Sequence, residues 1–118
     1  MNIAFINPPF LQFYSRNQRS PAVTKGGTLY YPYWLAYACG WANIHNHKGI
    51  LFDFVADNTP EAKSISRVKK EKPGLIVIDS ATPSIVNDLN FAKKLHAALP
   101  KIPIVFVGTH PSALPEEI

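Results

Sequence analysis

Cysteine is nearly absent from this chain: Cys39 is the single one in 118 residues, so no internal disulfide can staple the fold and a reducing compartment suits it. Surrounded by apolar residues in a helical pattern, Cys39 reads as a small buried hydrophobe. Long apolar runs are missing as well. The stretch Met1 to Ile6 has no basic region and is cut short by Asn7-Pro8-Pro9, which argues against a secretory signal or a membrane span and predicts a cytosolic protein without a membrane partner. A dinucleotide fingerprint needs closely spaced glycines after the first strand, where this chain has Asn7-Pro8-Pro9-Phe10. Lys25-Gly26-Gly27-Thr28 holds the residue types of a phosphate loop in reverse order and follows no strand. Asp79 and Thr109 stand where a phosphoacceptor receiver would need them, but no acidic pair follows the first strand to hold magnesium. Asp79 is therefore read as a loop or capping residue. His45 and His47, two residues apart, point to different faces of a helix and make a poor zinc pair.

Charge of one sign is in modest excess, with a formal net charge of +4. Lys63, Arg67, Lys69, Lys70 and Lys72 concentrate it on one amphipathic segment with no interleaved aromatics, the pattern of a solvated helix face rather than of a nucleic-acid surface. No nucleic-acid partner is expected.

What is present is a repeated alternation of short apolar runs and amphipathic segments. Ile3 to Ile6, Leu75 to Ile78 and Ile104 to Val107 are continuous apolar runs, as in strands buried on both faces, and Ile50 to Val55, broken only by Asp53, reads as a further strand. Between them, a helix from Tyr33 to Asn46 puts Leu35, Ala38, Cys39 and Ala42 on one stripe, with Gly49 as its stop. A second helix, capped at Asp57-Asn58-Thr59-Pro60, turns Ala62, Ile65 and Val68 inward, and a third aligns Ile85, Leu89, Ala92, Leu95 and Leu99 before Pro100. A fourth helical turn opens at Ser112. Phe10 to Pro32 shows no sustained period, and loops of that length commonly serve function. The order predicts an α/β doubly wound parallel sheet of flavodoxin-like, Rossmann-like three-layer form. Four strands are present. A fifth is expected past Ile118, so residues 1–118 read as the N-terminal part of a longer protein.

In such sheets ligands bind beyond the carboxyl ends of the strands, which singles out Asn7 to Phe10, Asp79 to Pro83 and Gly108 to Ser112. Gly108 leaves room for a ligand to approach the backbone, and Ser80, Thr82, Thr109 and Ser112 offer hydroxyls. Taken singly, Thr82 and Ser112 are better accounted for by helix capping, and His110 by a structural His-Pro turn.

Three blocks carry a family resemblance. Tyr31-Pro32-Tyr33-Trp34-Leu35-Ala36-Tyr37, Asp79-Ser80-Ala81-Thr82-Pro83-Ser84 and Val107-Gly108-Thr109-His110-Pro111-Ser112-Ala113-Leu114-Pro115-Glu116-Glu117 resemble the N-terminal cobalamin-binding domain that precedes radical S-adenosylmethionine domains. Thr109 replaces the second glycine of the last block. The resemblance implies a corrin ring across the carboxyl edge of the sheet, with Asn7, Pro8, Pro9, Phe10, Ser80, Thr82, Pro83, Gly108, Thr109, His110, Pro111 and Ser112 as cofactor-binding residues. Other cobalamin proteins supply a lower cobalt ligand from Asp-x-His-x-x-Gly after the first strand. This chain lacks it, so the implied cobalt has no histidine lower ligand. S-adenosylmethionine and a four-iron cluster are implied only for a C-terminal radical domain, because Cys39 alone cannot build a three-cysteine cluster motif. The complete protein would transfer a methyl group or perform a related radical modification, while this part binds cofactor and catalyses nothing. Tyr30, Tyr31, Tyr33 and Trp34 suit a corrin edge, the further domain or the core. Two other readings stand beside this one: a receiver-like signalling domain, and a domain that only packs against a partner.

Overall fold

A computed structural model describes residues 1–18 and 20–118; Arg19, inside the long aperiodic segment, lies outside the described residues. Strand β1 (Asn2–Asn7) is the centre of a parallel sheet, flanked by β4 (Lys48–Asp53) on one side and β5 (Leu75–Asp79) on the other, with β6 (Ile104–Val107) beyond β5. The chain folds as the doubly wound α/β form expected from its apolar runs. β6 forms the sheet edge, with Val105 and Val107 exposed on one face.

The strands separate two apolar layers. Ala4, Ile6, Phe52, Ile76 and Ile78 point to the face covered by α2 (Glu61–Lys70) and α3 (Ile85–Ala98), where they meet Val68, Phe91, Ala92 and Leu95. Ile3 and Phe5 point to the other face, where α1 (Tyr33–Ile44) brings Leu35, Cys39 and Ala42. Alternation along each strand produces this division, since successive side chains leave a strand on opposite sides. Among the described residues no helix is long and apolar enough to cross a membrane.

Several local expectations are corrected. Helix α1 ends at Ile44, and Asn46, with φ of 65°, takes the left-handed position after it. Gly49 instead lies within β4, where an added Cβ would fall 2.8 Å from the Cys39 carbonyl and 2.9 Å from its sulfur. That glycine sets the close approach of α1 to the sheet. Helix α2 starts after Pro60 without a side-chain cap, because Asp57 and Thr59 are taken up by Arg67. Ile65 and Val68 pack on the core as expected, Ser64 is buried beside them, and Ala62 is exposed instead. Helix α3 buries Asp88 and Phe91 along with Ala92 and Leu95. The aperiodic segment contains a small antiparallel pair, β2 (Tyr14–Ser15) with β3 (Ala22–Val23). The last helix, α4 (Thr109–Ala113), opens at Thr109, directly after Gly108.

Candidate functional site

The carboxyl edge of the sheet is roofed by the segment after β1, and one residue fastens it there. Arg16 is buried, and its guanidinium donates to Asp88 Oδ1 at 2.6 Å and to Asn7 Oδ1 and the Pro8 carbonyl at 2.9 Å each. Its Nε donates to Ser84 Oγ at 3.2 Å and Asp88 Oδ2 at 3.3 Å. The hydroxyls of Ser80 and Ser84 donate to Asp88 Oδ2 at 2.7 and 2.6 Å. Buried charges persist only when paired and hydrogen-bonded in this way, and the planar five-donor head of arginine suits so many acceptors. The rings of Phe10 and Tyr14 flank the cation at 5.7 and 5.2 Å. Burial raises the Tyr14 phenol pKa, with Ser84 and the Arg16 charge opposing.

The next residue spans the opening. Asn17 Nδ2 donates to Asp79 Oδ2 at 2.6 Å, and the Tyr33 hydroxyl donates to the Asn17 backbone carbonyl at 2.7 Å. Asp79 ends β5 as a buried carboxyl rather than as a capping residue; burial pushes its pKa up, while Asn17 and the Arg16 charge oppose the shift. Below this bridge lies a cleft of about 760 Å³ between α1, the ends of β5 and β6, and the start of α4. Leu35, Ala38, Val77 and Val107 supply apolar wall, and Asn17, Asp79, Ser80, Thr109 and Ser112 supply polar rim. A cleft of this size with a few convergent polar groups is the usual form of a small-molecule site.

Of the residues singled out from sequence, Ser80, Gly108, Thr109 and Ser112 line this cleft together. The others do not. Asn7 is buried between Arg16 and Asp53, to which its Nδ2 donates at 2.9 Å; Pro8 offers its carbonyl to Arg16, and Pro9 its carbonyl to Asn87 at 2.8 Å. Phe10 packs edge-on to Tyr14 at 4.8 Å. Pro83 is exposed, Pro111 buried, and Thr82 meets His110 Nδ1 at 3.1 Å. The second ring nitrogen of His110 faces Glu117 at 3.1 Å, so both nitrogens are engaged. Gly108 has φ of 110°, and a Cβ there would collide with the Ser80 carbonyl and come within 2.5 Å of Asp79 Oδ1. Its glycine is demanded by the adjoining β5 turn, a different reason from ligand approach. Arg16 and Asn17 are the residues that sequence reasoning passed over, and Asp79, read there as a loop or capping residue, joins them at the cleft. Tyr30, Tyr31 and Trp34 are exposed and do not enter the core. Among the described residues no group of three His, Cys, Asp or Glu side chains is placed to hold a metal ion.

No curated protein and no solved structure matches the chain. A family model for the B12 binding domain does match, over residues 19–118, a span that contains the cleft's two helical walls and both of its strand ends. With most of its length within that match, the chain belongs to the B12 binding domain family.

Proposed function

We propose that the chain is the cobalamin-binding module of a longer radical S-adenosylmethionine protein, holding the corrinoid at the carboxyl edge of its sheet. The observation that carries the reading is the cleft beside Gly108, whose walls from α1 to α4 lie within the segment matched by the family. The residues present fit such a group. Cobalamin is amphiphilic, and the cleft pairs an apolar wall of Leu35, Ala38, Val77 and Val107 with a rim of hydroxyl and amide groups. Ser80, Thr109 and Ser112 are assigned to hydrogen-bond the ligand, and Asn7, Pro8, Pro9 and Phe10 to anchor the roof segment over it through Arg16 and Tyr14. Thr82, Pro83, His110 and Pro111 are assigned to brace the turn after β5 against α4 beside the cleft.

When bound, cobalamin supplies an alkyl-carrying cobalt centre, and the chemistry on it is the cofactor's own. This chain's part is to bind, orient and shield. A cobalt without a histidine lower ligand is supported by where the imidazoles lie. His110 has both nitrogens occupied, His45 and His47 follow α1 at the amino end of β1 where Met1 meets His47, and His96 lies in the last turn of α3. A further domain and a fifth strand are supported by β6, an apolar edge strand with Val105 and Val107 uncovered. S-adenosylmethionine and the iron–sulfur cluster are assigned to that domain, which would perform the methyl transfer or related radical step, and the cytosol is the assigned compartment.

The test is a visible absorption spectrum of the purified chain after incubation with hydroxocobalamin and desalting, beside a version extended through a fifth strand. A retained corrinoid band with the spectrum of displaced benzimidazole and no imidazole ligand is expected. Absence of the band from both proteins would leave a domain that only packs against a partner.

A further inference from the structure

The geometry points to a ligand-selecting seat formed by Asn17 and Asp79, which takes a neutral amide N–H of the bound corrinoid and turns away an anionic group. The seat rests on the cobalamin reading and names side chains outside the hydroxyl set assigned above.

Its atoms are acceptors. Asn17 spends one amide hydrogen on Asp79 Oδ2, while its own Oδ1 is buried with no partner among the described residues. Asp79, when ionised, has only lone pairs to offer. The charges facing Asp79 are those of Arg16 and Asp88, and these two are paired with each other at 2.6 Å. Arg16, which also lines the cleft, is thus committed to Asp88, and among the described residues Asp79 has no ion-pair partner of its own on this wall. Cobalamin carries neutral primary amides around its macrocycle, and each presents two N–H donors. Such a donor satisfies a stranded acceptor, whose isolation away from water is costly. A carboxylate or phosphate in the same place adds a like charge beside a carboxylate already disfavoured by burial. The seat is also held rigid. Tyr33 fixes the Asn17 backbone, and the neighbouring Arg16 is locked to α3, so little ordering remains for the ligand to impose.

The experiment titrates the full chain at pH 8, by visible absorption, with hydroxocobalamin and with its separated monocarboxylate isomers, each having one peripheral amide hydrolysed. Wild-type protein should bind at least one isomer on the order of tenfold more weakly than hydroxocobalamin. Asp79→Asn should erase that preference, and Asn17→Ala should weaken hydroxocobalamin on the order of tenfold. Thermal unfolding of the ligand-free variants establishes that each is folded; the wild-type preference decides the matter if either is not. Equal affinity for hydroxocobalamin and every isomer overturns the seat and leaves cobalamin binding intact. No binding of any corrinoid by the wild-type chain overturns both.

Discussion

The two faces of the sheet are built from the same strands yet finished differently. Toward α2 and α3, Ala4, Ile6, Phe52, Ile76 and Ile78 are closed over by Val68, Phe91 and Leu95, and most of these side chains are fully buried. Toward α1, one helix buries Ile3 and Phe5 with Leu75 and Val77 half-buried beside them, and Val105 and Val107 of β6 stay open. The outer side of α1 is itself apolar, with Trp34, Tyr37, Trp41 and Ile44 each about two-thirds exposed. The cleft opens on this unfinished side. One face therefore holds the fold together, and the other is available to something else, as large exposed apolar patches on folded proteins usually are.

If that division is right, the largest losses come from the closed face. Phe91→Ala should cost about 3–5 kcal/mol in urea unfolding, since the ring is fully buried and its cavity cannot collapse against a packed sheet. A loss below about 1 kcal/mol would mean that this face is not the core. The joint between the two sides is Arg16 on Asp88. Arg16→Met should cost about 3–5 kcal/mol by stranding a buried carboxylate, and most of that should return in the double variant with Asp88→Leu. Failure of the double variant to recover would show that the hydrogen bonds to Asn7 and Pro8, rather than the unpaired charge, carry the latch. A step below these lies Gly108→Ala, which forces a side chain into left-handed backbone and against the Ser80 carbonyl. A cost of about 1–3 kcal/mol is expected in the same measurement.

The closed face was the more legible in sequence, and the reason is physical. Continuous apolar strands and the stripe of α3 announce burial by composition, so the sheet, its crossover helices and the β6 edge could be read directly. The roof segment could not. Its two-residue strands are too short to show a period, and Arg16 gives no local sign that it will be buried, because its partner lies 72 residues away. Asp88 was missed because a carboxylate in a helix ordinarily faces water. A signal did exist: Ser84, just before α3, stands four residues ahead of Asp88, where its hydroxyl can satisfy the carboxylate. At the site, Ser80, Gly108, Thr109 and Ser112 were legible because strand ends are where ligands bind, whereas Asn17 reaches that place only through the fold of the loop.

Asp79 gives a smaller effect that pH exposes. Its pKa is raised in the fold by burial, so the stability this carboxyl contributes is present in full below its unfolded value and is lost as pH rises through the folded one. Asp79→Asn removes that loss. Melting temperatures of wild type and variant should therefore diverge with rising pH, the variant being the more stable at neutrality, and should converge in acid. Parallel curves would show that Asn17 and Arg16 compensate the burial fully.

The smallest effects on stability belong to the open face, and they sharpen the comparison most. Trp34 is 66% exposed, so replacing it by alanine uncovers little that folding had buried, whereas Val107, 36% exposed, keeps part of its side chain against the sheet. Trp34→Ala should shift the unfolding free energy of the ligand-free chain by no more than about 0.5 kcal/mol and Val107→Ala by about 1 kcal/mol. Both residues line the cleft, however, and a ligand seated there covers apolar surface that folding leaves bare. The same substitutions should lower hydroxocobalamin affinity measured by absorption titration, an effect that Phe91→Ala, fully buried beneath the opposite face, cannot produce without unfolding the chain. If Val107→Ala proved as costly to stability as Phe91→Ala, the open face would be a second core and the contrast between the faces would fail. If affinity stayed unchanged, the corrinoid would have to lie away from the β5 and β6 ends, because Val107 stands at the end of β6 that any ligand in this cleft must touch.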